Sequence, residues 1–181
     1  MAANLPDLTV TSGDFARWQN DWFQGETLSR ELDHWIAELD GAPTLLELPA
    51  DRPHPKTRSY RGGLVTRALD PALTAKLRAF NQAESATDFM TLISAFGLLL
   101  SRYSDQHDLL IGSPVANRRL RECEDLAGMF VNILTLRWRD EDLPDFAALV
   151  AETRRRCLRA YANQDLPFEL LVDHLHPERS L

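Results

Sequence analysis

The side chains able to do chemistry are few and scattered. The five histidines stand at positions 34, 54, 107, 174 and 176, and the two cysteines are Cys123 and Cys157. No GxGxxG, GxxxxGKS/T, HExxH, GxSxG or paired CxxC pattern gathers them, so no complete catalytic, nucleotide-binding or metal-binding motif stands out. His174 and His176 in DHLHPE invite a metal site, but positions two apart on a helix diverge and Pro177 ends it. The alternative is a pair of solvated helix-end histidines, and no metal is assigned. A self-contained acyltransferase built on His107 or His174 finds no evident nucleophile or oxyanion donor beside either residue.

Two polar features carry more information. Asn132 falls on the same strand face as Phe130, Leu134, Leu136 and Trp138 if side chains alternate with a period of two. An amide in an apolar row needs partners: either neighbouring backbone satisfies it, or its donor and acceptor face a ligand tunnel. Arg118, Arg119 and Arg121 form a basic cluster in an acidic chain, and are read either as a docking patch for an acidic partner domain or as solvated surface. Arg154, Arg155, Arg156 and Arg159 are expected mostly on the wet side of a helix.

The elements that position these residues can be read from periodicity. Two helices are expected over residues 11–41, the first capped by Ser12 or Asp14, separated at Gly25 and stopped at Gly41. Leu28, Leu32, Trp35, Ile36 and Leu39 make an apolar stripe on the second that needs a partner surface. Pro43, Pro49, Pro53 and Pro55 then make a semi-rigid connector. A strand over Gly63–Leu69 precedes a helix capped by Asp70-Pro71 that buries Leu73, Leu77 and Phe80. The helix starting at Thr87 carries Phe89, Leu92, Ile93, Phe96, Leu99, Leu100 and Tyr103, enough to predict burial on most sides. DLLIG gives a strand at 108–112 ending in a Ser113-Pro114 turn, and a longer strand spans Met129–Arg139. Pro144 opens a helix burying Phe146, Leu149, Val150, Thr153, Cys157 and Tyr161, and a short helix covers Pro167–His174. Alternating helices and strands argue an α/β layered domain.

Composition bounds the function. A chain of 181 residues, 44% hydrophobic and 26% charged, is sized for about one domain at about 150 residues each. Twenty basic against twenty-seven acidic residues, a formal charge of −7, make nucleic acid a poor partner. Two cysteines are too few for a disulfide framework, which favours a reducing cytoplasm. Neither a signal peptide nor a membrane span is legible, so no membrane partner is expected.

Five segments in one order resemble the condensation domain of nonribosomal peptide synthetases: DFARWQ at 14–19, LELPADRPHP at 46–55, LLSRYSDQHDLLIGSPVANR at 99–118, GMFVNILTLR at 128–137 and NQDLPFE at 163–169. The resemblance implies a chloramphenicol-acetyltransferase-like layered fold of two lobes. Of these the chain holds one incomplete lobe: inter-lobe helices and a Pro-rich connector over 1–58, and a partial C-terminal lobe over 59–181. It further implies a tunnel in which an aminoacyl amine meets an acyl thioester, each carried on the phosphopantetheine arm of a carrier domain. There an HHxxxDG motif supplies the histidine that positions or deprotonates the amine.

That motif does not occur in this sequence. His34 followed by Asp40-Gly41 has the wrong spacing, and HPERSL at the other end resembles only the start of a closing Arg-containing motif, so the chain reads as cut at both ends. Asn132 matches the tunnel-lining position of the FVN motif, and Ile133 stands where Thr is usual. Asp14, Trp18, Asp165, Pro167 and Phe168 match structural positions, with capping and packing parts. The implied function is amide formation between a carrier-bound acyl or peptidyl donor and a carrier-bound aminoacyl acceptor, with this chain inactive alone and binding no cofactor itself. Implied partners are carrier domains, an N-terminal lobe and an adenylation domain. The alternative is a standalone remnant acting as a carrier-docking module. The apolar stripe of Leu28, Leu32, Trp35 and Leu39, together with an open sheet edge where closing strands are absent, would make the chain self-associate.

Overall fold

The computed structural model describes residues 8–52, 57, 59–140 and 143–175. Pro53, His54, Pro55, His176, Pro177 and the HPERSL ending lie outside the described residues. In chain order the elements are α1 (Ser12–Trp22), α2 (Gly25–Leu39), α3 (Pro71–Ala83), α4 (Asp88–Ser104), β1 (Asp108–Val115), a 3-10 turn at Arg121–Cys123, β2 (Asn132–Arg139), α5 (Phe146–Ala162) and α6 (Phe168–Leu175). β1 and β2 form a two-stranded sheet. Asp140, just past β2, donates its N–H to the carbonyl of His107, just before β1, at 3.3 Å, so the pair is antiparallel.

The described residues fold as two compact units, those within 8–40, 112–135 and 160–175 in the first and those within 41–111 and 136–159 in the second. Residue 58, where a boundary is expected, lies outside the described residues, and its described flanks belong to the same unit.

In the first unit, α1 starts with a capping box. The Thr11 hydroxyl accepts from the Asp14 N–H and the Asp14 carboxylate accepts from the Thr11 N–H, at 3.2 and 3.0 Å. The cap is therefore Thr11, not Ser12, and Asp14 is its reciprocal partner; the Thr11 hydroxyl, donating to the Asp14 carboxylate at 2.7 Å, and then the Thr11 N–H hold that carboxyl below its ordinary pKa. α2 buries Leu32, Trp35 and Leu39 while Ile36 stays 40% exposed. The stripe thus finds its partner surface within the unit, which removes it as a cause of self-association. Gly41, at φ +66°, ends the helix as expected. Cys123, Leu126 and Phe130 form a core cluster closed by Val10 and Phe15.

In the second unit, Asp70 caps α3 by accepting from Ala72 and Leu73, and Thr87 caps α4 by accepting from Met90. The two helices are tied by a buried amide: Asn81 Nδ2 donates to Asp88, and Thr91 Oγ1 donates to Asn81 Oδ1, both at 2.6 Å. Leu109, Trp138 and Leu149 centre a core cluster, with Leu46, Leu98, Leu100, Ile111 and Leu143 around them. α5 starts from Asp145, which accepts from the Ala148 N–H at 2.8 Å. It buries Leu149, Val150, Thr153 and Cys157 as the spacing predicts, while Phe146 is 37% exposed and Tyr161 half-buried.

Four expectations are corrected. α3 does not bury the face expected of it: Leu73 is 52% exposed, and Leu77 and Phe80 are half-buried. Residues 63–69 form no strand, and Leu64 and Val65 are 91% and 84% exposed, because a strand exists only against a neighbour and none is present among the described residues. α4 is buried on one face, not most: Met90, Thr91, Ile93, Ser94, Gly97 and Ser101 are covered, while Phe89, Leu92, Phe96, Leu99 and Tyr103 are exposed. β1 runs straight through Ser113-Pro114, since a strand paired on one side tolerates a residue with no N–H. No single helix among the described residues is long and apolar enough to cross a membrane; α3 with α4 reaches that mark only as a pair bent by 105°.

Candidate functional site

Asn132 opens β2, and the alternation expected there holds: Asn132, Leu134, Leu136 and Trp138 are buried, as is Phe130 before them, while Ile133 is exposed on the opposite face. The strand begins at Asn132 and not at Met129, which is 90% exposed. The Asn132 side chain reaches the turn that joins α5 to α6. Its Nδ2 donates to the carbonyls of Gln164 at 2.9 Å and Leu166 at 2.7 Å, and its Oδ1 accepts the N–H of Phe168 at 3.0 Å. Two carbonyls and one N–H admit only one orientation of the amide. This is the backbone-satisfied alternative in atomic detail.

Two further side chains hold the same turn. Trp35 on α2 donates its indole Nε1–H to the carbonyl of Asn163 at 2.9 Å, and Arg119 pairs with the carboxylate of Asp165. Asp165 therefore does not cap a helix. Pro167 sits just before α6, not within its first turn, and its side chain offers no capping oxygen; Asn132 Oδ1 takes that place from the strand, satisfying the first N–H of α6. Phe168 is half-buried, and the fully buried anchor of the motif is Leu166.

The basic cluster is largely committed within the unit. Arg118 donates to the carbonyls of Cys123 and Gly128, and its guanidinium lies 4.2 Å over the Phe130 ring. With Arg119 on Asp165, Arg121 is the exposed member of the three to which no such contact is traced. Trp18, 43% exposed, stacks on Trp22 at 5.2 Å and leans on Phe15 at 5.5 Å. These aromatics, with Arg119 and Asp165, line a shallow cleft of the first unit.

On α5, Glu152 takes two bonds from Arg155, at 2.8 and 2.6 Å, and one from Arg156 at 2.6 Å. Arg156 also donates to the carbonyl of Arg137 and its side chain is only 16% exposed, so it is not on the wet side. His107 meets Asp140 at 2.8 Å, and His174 meets the carbonyl of Leu170 at 3.0 Å. Neither cysteine forms a disulfide, both are buried, and burial pushes the Cys123 thiol up. Among the described residues no three His, Cys, Asp or Glu side chains converge as metal ligands.

A family model described as the condensation domain matches residues 2–181. The chain belongs to the condensation-domain family. Relatives of this condensation-domain chain include linear gramicidin synthase subunits B and C of Brevibacillus parabrevis, 48% and 47% identical over 99% and 98% of the chain. The chain spans only 4% and 2% of their lengths. Among solved structures, the X-domain seen in complex with OxyB from teicoplanin biosynthesis superposes with a TM-score of 0.90 at 27% identity. That match covers 99% of this chain and 41% of that one. Solved condensation domains of lower identity share the fold, so the chain has the chloramphenicol-acetyltransferase-like architecture, represented by part of it.

The condensation-domain motifs meet in space where the sequence shows them apart. NQDLPFE receives FVN through Asn132, and through Arg119 the residue that follows the motif at 99–118. Sequence reasoning missed Trp35 as a polar partner, having given it packing alone, and missed the Arg119–Asp165 pair. For the pair the usable signal was that Arg119 adjoins one motif of the resemblance and Asp165 lies in another; Trp35 lies in none, and no spacing rule links positions 46 or 128 residues apart.

Proposed function

We propose that this chain is part of a condensation domain that joins a carrier-bound acyl or peptidyl donor to a carrier-bound aminoacyl acceptor. Near-complete coverage of the chain at 47–48% identity by peptide synthetase subunits carries the reading. In the reaction the acceptor amine attacks the donor thioester carbonyl, a C–N bond forms, the C–S bond breaks, and the amine proton passes through a base to the departing thiolate, which leaves as the free thiol. Holding both thioesters in line removes the entropy of encounter. The phosphopantetheine arms enter as substrates on the carrier domains, and an N-terminal lobe, carrier domains and an adenylation domain are the proposed partners, in a cytoplasmic setting.

The base belongs to HHxxxDG, and no two adjacent histidines occur in these 181 residues. General acid–base help is worth roughly 100- to 10,000-fold in rate. Incubated with two loaded carrier proteins, the chain alone therefore yields no condensed product by mass spectrometry, and adding a lobe that carries HHxxxDG restores it. Product from the chain alone, abolished by a substitution in it, would overturn the reading. Carrier binding without product even in the completed protein would favour a docking module.

A further inference from the structure

The turn at residues 163–168 is fixed from three separate segments of the first unit. Trp35 holds Asn163, Asn132 holds Gln164, Leu166 and Phe168, and Arg119 holds Asp165. Pro167 is the one residue of the six without such a bond, and its ring already restricts φ. A surface turn is ordinarily held by its own short-range bonds. Here the partners lie 128, 32 to 36 and 46 residues away.

We infer that Asn132 is a positioning residue: it presets the 163–168 turn and the start of α6, and acts on the transfer reaction through that turn without touching substrate. Its two amide hydrogens are both engaged by carbonyls at 2.7 and 2.9 Å, its oxygen holds an N–H, and the residue is 6% exposed. A substrate contact would have to break a bond to a buried backbone group, leaving that group unsatisfied. Trp35 and Arg119 bind the residues flanking the Asn132 acceptors, so the three side chains stabilise one backbone conformation and their effects are coupled, not additive.

The structural half is tested on the 181-residue chain by amide hydrogen exchange. Asn132→Ala should speed exchange across 163–171 on the order of tenfold or more, with α4 unchanged, as loss of buried hydrogen bonds at a local opening unit requires. Trp35→Phe and Asp165→Asn should each loosen the same stretch to a smaller degree, and either combined with Asn132→Ala should add less than it does alone. These two variants decide the matter if Asn132→Ala does not fold. Unchanged exchange in the turn, or fully additive effects, would overturn the inference.

The transfer half rests on the proposed function and uses the chain completed by an N-terminal lobe. All three variants should lower kcat in step with turn exchange, with KM for both carriers unchanged. A loss confined to Asn132 variants, with Trp35→Phe and Asp165→Asn at the wild-type rate, would overturn the inference in favour of direct contact. An inactive completed wild type would count against the proposed function alone, the exchange result still deciding the structural half.

Discussion

Glu152 shows how a single side chain on this fold converts pH into stability. Bonds from Arg155 first, then from Arg156, hold its carboxyl down at about 2 from an ordinary 4.5, against the opposing effect of burial. A carboxyl depressed in the folded state stabilises the protein above the unfolded pKa and loses that contribution as pH falls through the folded value. The window is therefore from about 4.5 down to about 2. Because Arg155 is half exposed, screening reduces the effect to about 1–2 kcal/mol. The urea midpoint should fall more steeply with acidification in the wild type than in Glu152→Gln, and identical slopes would refute the assignment. Asn132 is the other instructive residue. Its oddity was legible as an amide in an apolar row, yet the partners that explain it lie more than thirty positions along the chain, where no local rule reaches.

At the scale of elements, all six helices were legible because caps and apolar spacing are local: Asp70-Pro71, Thr87 and Gly41 do what their types dictate. The strand expected at 63–69 failed because β-propensity describes a fit to neighbours the segment does not have. α4 failed differently. Counting apolar positions shows how much surface a helix offers and nothing about what covers it; the covered face is in fact its small one, around Ser94, Gly97 and Ser101. At Gly97 a Cβ would overlap the indole of Trp138. Overpacking there costs about 1–3 kcal/mol against the roughly 1 kcal/mol that alanine gains in a helix, so Gly97→Ala should be net destabilising, by up to about 2 kcal/mol. Chemical denaturation reads the sign, and a more stable variant would show that the helix and Trp138 can part at little cost.

For the whole molecule the consequence lies in what α4 leaves uncovered. Phe89, Leu92, Phe96, Leu99 and Tyr103 recur at helical spacing, between 39% and 63% exposed, and so form one continuous apolar stripe. Scattered exposed apolar residues are ordinary, but a contiguous stripe favours association, at about 25 cal/mol for each Å² of apolar surface removed from water. The α2 stripe cannot supply this drive, since Leu32, Trp35 and Leu39 are already buried. The expected outcome is a mass that rises with concentration in light scattering, and Leu92→Glu with Phe96→Lys should return it to the monomer. Both substitutions fall on the exposed face, away from Gly97 and Ser101, so the buried packing of α4 is untouched and thermal stability should change little. A monodisperse monomer across the concentration series would refute self-association, and association indifferent to the double substitution would move its cause elsewhere, with exposed Leu64 and Val65 the next surface to alter.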